Sequence, residues 1–268
     1  YGAADPLDLN NGGVTSSNIY PYADKYQVLN RLEQTGLYVQ DQAEWNKWVM
    51  TLGGRYDFAK SSVHTRKTSY ADASDNVNRD EAFTWRGGIN YLFDNGISPY
   101  FSYSESFEPN AGRSLDGTAF DPSRGKQYEA GVKYVPSDRP IVVTASVFQI
   151  TKDKNLTADP RDANFSIMGG EIRSRGFELE AKAALTANID MTAAYSYTDA
   201  EYTEDTKYQN KRPAEIPRNM ASLWTDYTFH ETALSGLTLG AGVRYVGNTS
   251  SFYGNTGQTV NVPSYTVA

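Results

Sequence analysis

The 268-residue sequence contains no cysteine, only two histidines and no long apolar run. Without cysteine it can form neither a disulfide framework nor a thiolate metal site. A helical membrane span needs about 18 consecutive apolar residues, so transmembrane helices are excluded. The chain also lacks excess positive charge, because its formal net charge is −7. A chain of this charge offers no basic surface to replace phosphate counterions, so we expect no nucleic-acid partner.

Residues that could carry catalysis are few and scattered along the sequence. His64 falls in a predicted long loop and His230 beside a predicted short turn, which places the two at opposite ends of the fold. Glu178 and Glu180 alternate with apolar residues along one predicted strand, as the side chains of a hydrated wall do. We therefore expect that the protein is not an enzyme.

The sequence does contain strand-like segments that are joined alternately by a short and a long polar connector. The short connectors are residues 46–47, 94–96, 136–140, 186–188 and 230–236, and the long ones are residues 59–80, 108–124, 152–169, 203–216 and 248–262. This asymmetry is typical of outer-membrane β-barrels, which have short periplasmic turns and long outer loops.

Within these segments, apolar and polar residues alternate. Between Trp48 and Phe58, for example, the even positions are mostly apolar, whereas the odd positions include Arg55 and Asp57. The polar faces of the predicted strands hold charged residues, namely Arg55, Asp57, Arg86, Glu178, Glu180, Lys182 and Arg244. The shared interior of a soluble β-sandwich tolerates few charges, although a two-layer protein with these residues in solvent remains an alternative. The pattern therefore predicts an all-β fold, a transmembrane antiparallel β-barrel with its apolar face in lipid.

Ten strands are predicted, and an eleventh begins near Pro263. Their bounds are residues 34–45, 48–58, 81–93, 97–107, 125–135, 141–151, 170–184, 189–202, 217–229 and 237–247. The sequence starts at Tyr1 without a signal segment and stops within the eleventh strand pattern. Because a barrel must close on itself, we interpret the chain as part of a larger protein.

Seven blocks in order resemble the barrel of TonB-dependent siderophore receptors. They are QTGLYVQDQ at 34–42, TLGGRYD at 51–57, TWRGGINYLFDNG at 84–96, PYFSYSESFEP at 99–109, GKQYE at 125–129, GGEIRSRG at 169–176 and MASLW at 220–224. Within that family they are most similar to the branch that takes up ferric hydroxamates, the ferrichrome and ferrioxamine receptors. The resemblance extends from about Gln34 to the end of the chain.

This resemblance implies a barrel of about 22 strands that is filled by an N-terminal plug. Residues 1–268 would be part of the barrel domain, and the plug would lie outside this chain. The implied function is that of an outer-membrane receptor and transporter for ferric hydroxamate siderophores, energised through TonB, which binds the missing N-terminal region. Lipopolysaccharide of the outer membrane is a further implied partner, as are phages or colicins at the outer loops. The siderophore itself wraps the iron, so we expect neither a cofactor nor a protein metal ligand.

A site for a ferric hydroxamate would use aromatic side chains at the mouth of the barrel. Candidates before and within the predicted loops are Tyr1, Tyr20, Tyr22, Phe120, Phe165, Phe252 and Tyr253. For each of them the alternative is an interfacial anchor or a residue that packs within its loop.

Two other functional classes remain open at this point. One is a self-contained barrel, such as an autotransporter translocator or an outer-membrane hydrolase. The truncated last strand and the absence of a catalytic pair at the rim count against it. The other is a passive porin, which would lack the plug and require no energy input.

Overall fold

The computed structural model describes residues 28–66, 73–162, 165–230, 234–253 and 258–267, and its regular elements are all β-strands. No helix long and apolar enough to cross a membrane occurs in these ranges. The strands are β1 (Val28–Trp45), β2 (Trp48–Thr65), β3 (Ser74–Tyr91), β4 (Ile97–Glu108), β5 (Ser123–Tyr134), β6 (Ile141–Ala158), β7 (Ser166–Ala184), β8 (Ile189–Glu204), β9 (Asn219–Thr228), β10 (Thr238–Val246), β11 (Thr249–Tyr253), β12 (Gln258–Val262) and β13 (Tyr265–Val267).

Eleven of these strands form one antiparallel sheet, and within this sheet each strand pairs with the strands that come before and after it in sequence order. The order runs from β1 to β10 and then to β13, while β11 and β12 form a separate hairpin inserted between β10 and β13. This up-and-down topology is that of a β-barrel wall. It confirms the eleven predicted strands in their predicted order.

The strand register separates the side chains into two faces, because directly paired residues point to the same side of a sheet. Leu52 opposes Gly87, and the same row continues through Tyr103 and Tyr128. On this outward face lie large apolar side chains with high exposure: Leu37, Val39, Leu52, Phe83, Phe101, Val132, Val147, Phe177, Leu179, Leu223, Leu239 and Val243. The inward face carries the charged residues predicted for it: Arg55, Asp57, Arg86, Glu178, Glu180, Lys182 and Arg244.

The described chain buries few apolar residues, and most of those are small. They are Ala59, Ala82, Phe120, Ala183, Ala200 and Val246, whereas Leu37 is 73% and Leu52 is 63% exposed. A continuous apolar face of this size would be unfavourable in water and is stable against lipid. The arrangement therefore supports a transmembrane barrel wall over a two-layer soluble β protein.

Aromatic pairs lie along this apolar face. At the short turns, the ring centroids of Trp48 and Tyr91 are 4.7 Å apart. Further from the turns, Trp85 and Tyr103 are 4.6 Å apart, and Tyr103 and Tyr128 are 4.9 Å apart. Amphipathic rings prefer the headgroup level of a membrane, so the Trp48–Tyr91 pair marks the turn-side interface.

On the loop side the strands are longer than predicted. Residues 59–80 were expected to form a loop, but β2 continues to Thr65 and β3 starts at Ser74. Residues 152–169 likewise belong largely to β6 and β7, and residues 248–262 contain the hairpin of β11 and β12. His64 accordingly lies at the end of β2 and contacts Asp75 of β3. The antiparallel ladder continues above the lipid, where both faces of the strands meet water.

Candidate functional site

The long connections all lie at one end of the sheet, because the strands alternate in direction. The loop of residues 109–122, between β4 and β5, folds over the inward face of β2 and β3. The Nδ2 of Asn78 donates hydrogen bonds to the carbonyl oxygens of Asn110 and Gly112 at 3.3 and 3.2 Å. Arg113 Nε donates to Asn76 Oδ1 at 3.0 Å. Since Asn76 and Asn78 face the lumen, this loop narrows the mouth of the barrel.

Arg161 joins the 109–122 loop to the connection between β6 and β7. Its two terminal nitrogens donate to the two carboxylate oxygens of Asp116, each at 3.0 Å. The same guanidinium contacts Asp159 at 2.7 Å, and Asp159 is 2% exposed. The charge and hydrogen bonds of Arg161 lower the pKa of the Asp159 carboxyl, and the two carboxylates raise the pKa of Arg161. One arginine thus holds two loops together.

The base of the 109–122 loop is bonded to β5 and β6. Asn110 Nδ2 donates to the carbonyl of Asp121 at 2.8 Å and to Ser123 Oγ at 3.1 Å. Ser123, which is buried, donates to the carbonyl of Lys154 at 3.0 Å, and Lys154 Nζ contacts Asp121 Oδ2 at 2.8 Å. These bonds fix both ends of the loop against the wall.

The next loop, residues 205–218 between β8 and β9, continues the contacts around the rim. Thr206 Oγ1 donates to the carbonyl of Ala158 at 2.8 Å, and the amide of Glu215 donates to the carbonyl of Ser250 in β11 at 2.8 Å. Burial and the nearby charge of Arg218 lower the pKa of Arg212 in this loop. The described loops therefore form a continuous rim, from the wall of β2 and β3 to the β11–β12 hairpin.

Below the rim, the inward wall holds two shallow grooves whose linings combine charged and apolar side chains. One, of about 470 Å³, is lined by Glu178, Glu180, Ser222 and Arg244 among others. The other, of about 440 Å³, is lined by residues that include Tyr38, Arg55, Thr84 and Arg86. Hydrogen bonds connect these polar side chains, for example Arg86 Nη2 to the hydroxyl of Tyr38 at 2.6 Å. Such a wall is suited to hydrogen bonding with whatever fills the lumen.

The structure places the predicted aromatic site residues in different surroundings. Tyr1, Tyr20 and Tyr22 lie outside the described residues. Phe120 is 5% exposed, and its ring lies 3.6 Å from the position that a side chain on Gly112 would occupy, so it packs within the 109–122 loop. Phe165 is 38% exposed in the connection between β6 and β7. The ligand contact expected of Phe165 stays a prediction, whereas for Phe120 the geometry favours the alternative of loop packing.

Phe252 and Tyr253 belong to β11, although their side chains lie outside the described residues. Their predicted ligand contact also stays a prediction. Sequence reasoning missed the residues that organise the rim, above all Arg161, Asp116 and Asn78. The contacts that join separate segments, Asn78 with Asn110 and Arg161 with Asp116, span 32 and 45 positions along the chain, a separation at which no local pattern reports a contact.

The sheet is apolar on its outward face and charged on its inward face. It has short turns at one end and long loops, joined by hydrogen bonds, at the other. These features together are those of an outer-membrane β-barrel wall. A family model described as "TonB dependent receptor-like, beta-barrel" matches residues 1–268. The chain belongs to this family.

Relatives with high identity agree with the family. Over 242 residues the chain is 58% identical to the "Ferrichrome outer membrane transporter/phage receptor" of Escherichia coli strain K12, covering 90% of the chain and 32% of that protein. It is 40% identical over 271 residues to the "Ferrioxamine B receptor" of Salmonella typhimurium, covering 100% of the chain and 37% of that protein. The chain thus spans about a third of the length of these curated relatives.

A solved structure shows the same architecture. The siderophore receptor PiuA from Acinetobacter baumannii superimposes with a TM-score of 0.74 at 29% identity, covering 88% of this chain and 36% of that one. The ferric-catecholate import receptor Fiu from Escherichia coli K12 gives a TM-score of 0.71 at 19% identity, which shows the fold alone.

Proposed function

We propose that the protein containing this chain is an outer-membrane receptor that takes up ferric hydroxamate siderophores of the ferrichrome or ferrioxamine type. The observation that carries this proposal is the 58% identity to a ferrichrome transporter, supported by 40% identity to a ferrioxamine B receptor. These proteins are named as transporters and receptors, which agrees with a binding role and not with an enzymatic one.

The described geometry is consistent with binding at the mouth of the barrel. The 109–122 loop lies over the lumen, so a ligand that enters from outside meets this rim before it meets the polar wall. We propose that the exposed Phe165, the hairpin residues Phe252 and Tyr253, and Tyr1, Tyr20 and Tyr22 supply the aromatic contacts. Phe120 would support its loop from within. The iron is cargo inside its chelator and requires no ligand from the protein.

Three further partners follow from the same proposal. TonB would supply the energy through the N-terminal part that lies outside this chain. The outer leaflet would contribute lipopolysaccharide, whose phosphates suit the outward-facing cations in the loop-side parts of β5 and β7, namely Lys126, Arg173 and Arg175. Phages or colicins would bind the long outer loops. For phages, this agrees with the words "phage receptor" in the name of the Escherichia coli relative.

The proposal can be tested by ligand binding to the full-length protein in detergent. Tryptophan fluorescence would be measured during titration with ferrichrome and with ferrioxamine B, with the iron-free compounds as controls. We expect saturable, iron-dependent quenching by at least one of the two. A folded barrel that responds to neither ligand would contradict the hydroxamate assignment, and steady ion conductance without ligand would favour a passive pore.

A further inference from the structure

Three side-chain oxygens on the inward face of β2 and β3, just beyond the membrane, are buried without a hydrogen-bond partner among the described residues. They are Ser61 Oγ, Asn78 Oδ1 and Asp80 Oδ2. Ser61 is 4% exposed and Asn78 is 6% exposed, so bulk water does not replace the missing partners. Leaving a buried polar atom unsatisfied costs about 1–3 kcal/mol, and more for a charged group. Three such atoms on one small patch are the kind of group that a bound ion or an ordered water satisfies.

The strand register places these oxygens around one recess. Ser61 is the direct cross-strand partner of Asn78, and Ala59 is the partner of Asp80. Opposed side chains on one face have Cβ atoms about 5 Å apart, and residues two positions apart on a strand also share that face. Ala59, which is itself buried, puts only a methyl group opposite the Asp80 carboxylate, and the 109–122 loop covers Asn78 on the lumen side.

The orientation of the Asn78 amide is determined by its neighbours. Its nitrogen donates to two carbonyl oxygens, those of Asn110 and Gly112, which can only accept hydrogen bonds. The amide oxygen must therefore be the unpartnered atom. It acts only as an acceptor, so the recess presents the acceptor oxygens of Asn78 and Asp80 together with a hydroxyl that can coordinate through its lone pairs.

A second carboxylate lies close to this recess. Asn110 links Asn78 to Asp121, because its carbonyl accepts from Asn78 and its amide nitrogen donates to the carbonyl of Asp121 at 2.8 Å. One carboxylate oxygen of Asp121 is paired with Lys154 at 2.8 Å. Among the described residues, Arg113 is bonded to Asn76 and to the carbonyl of Gly117, and no lysine or arginine forms an ion pair with Asp80. Lys154 is thus the cation that pairs directly with one of the two carboxylates.

We propose that this recess binds a divalent cation, Ca²⁺, through Asp80, Asn78 Oδ1, Ser61 Oγ and the second oxygen of Asp121. Calcium prefers a mixture of carboxylate, amide and other oxygen ligands in flexible geometry, and water completes its coordination. The described residues hold no group of three or more His, Cys, Asp or Glu placed for a metal, and this site uses neutral oxygens in their place. The ion would tie the 109–122 loop to the wall of β2 and β3, so that the mouth of the barrel is rigid when calcium is bound.

The test uses the full-length protein in detergent after removal of metals with EDTA. Terbium luminescence, excited through nearby aromatic residues, would report binding, and CaCl₂ would compete. We expect a saturable terbium signal that calcium displaces and a calcium-dependent increase in Tm. Asp80→Asn should abolish both effects, whereas Asp75→Asn should preserve them, because Asp75 lies on the outward face of the same strand and contacts His64.

Two controls make the result decisive. Binding to residual lipopolysaccharide would be the same in both variants, so the difference between them isolates the protein site. If Asp80→Asn fails to give the heat-modifiable band of a folded barrel, Ser61→Ala replaces it, since this variant keeps both carboxylates and should weaken binding several-fold. Equal terbium binding by the parent and a folded Asp80→Asn variant, or no saturable binding by the parent, would show that the recess holds water only. This outcome is independent of siderophore binding.

Discussion

Arg161 shows how a single side chain can organise the outer rim. We expect Arg161→Ala to separate the 109–122 loop from the connection between β6 and β7, because the substitution removes the paired hydrogen bonds to Asp116 and leaves the buried Asp159 carboxylate without its cation. Hydrogen–deuterium exchange should become faster in both segments. Arg139→Ala is the matched control, since Arg139 pairs with Asp138 at 3.4 Å in an exposed short turn. Unchanged exchange in the 109–122 loop would contradict the role of Arg161.

The same contact has a predictable pH dependence. Arg161 lowers the pKa of Asp159 in the folded protein, so the contribution of this ion pair is complete above the usual carboxyl pKa of about 4. It is lost as the pH falls through the lower pKa of the folded state. Loop exchange, corrected for its intrinsic rate, should therefore increase at acidic pH in the parent protein and show a smaller increase in Arg161→Ala. A parallel pH response in the two proteins would show that another group controls the loop.

At the scale of a strand, the two faces should respond differently to the same added charge. Leu223 and Ser222 are neighbours in the middle of β9, and Leu223 faces outward, whereas Ser222 lines the groove with Glu178 and Glu180. Leu223→Arg should destabilise the barrel by about 2–4 kcal/mol, the cost of an arginine near the bilayer midplane. Ser222→Arg should destabilise the barrel much less, because it faces a hydrated groove in which Glu178 and Glu180 offset the charge of its cross-strand partner Arg244. Heat-modifiability and the amount of protein in the outer membrane would measure the difference, and equal loss in both variants would argue against the assigned faces.

Sequence patterns predicted the turn-side ends of the strands better than their loop-side ends. The turn-side ends of β1 and β2 were predicted correctly, because the connector is short and Asn46, with a φ of 54°, suits a tight turn. At the loop side, the strands extend beyond their predicted ends, as β2 does to Thr65. The alternation of apolar and polar residues is required only where one face meets lipid, and above that level Lys60 and Ser62 are polar on the outward face of β2. The hairpin of β11 and β12 was missed because residues 249–251 are Thr-Ser-Ser, which indicate a loop.

The candidate site was less predictable than the fold for the same physical reason. Period-two alternation is a local property, so a short window is enough to identify a strand face. The contacts of the rim join residues that are far apart along the chain, such as Asn78 of β3 and Asn110 of the 109–122 loop, and they depend on how the strands between them pair. Aromatic residues in loops were therefore reasonable candidates from sequence, but their burial, as for Phe120, follows from tertiary packing.

At the scale of the whole molecule, the eleven-stranded sheet has two edges that do not pair with each other. β1 and β13 are the end strands, and because the number of strands is odd, an antiparallel up-and-down order makes these two run in the same direction. Closing the sheet on itself would require a parallel pair between β1 and β13, whereas every described pair of the sheet is antiparallel. If β1 stayed unpaired on its outer edge, its free backbone groups in lipid would cost several kcal/mol each. We expect the remaining strands of the full-length protein to supply the missing partners.

The 268-residue chain expressed alone should therefore fail to form a monomeric barrel. After refolding from urea into detergent or lipid vesicles, we expect aggregates or mixed oligomers without a heat-modifiable band and without a protease-protected core. The full-length protein treated in the same way should show both. Adding the missing segments as a separate polypeptide should restore protection of this chain if the edges of β1 and β13 are the cause, because open strands can pair across a chain break. A protected, heat-modifiable monomer formed by the chain alone would instead mean that its edges can satisfy each other.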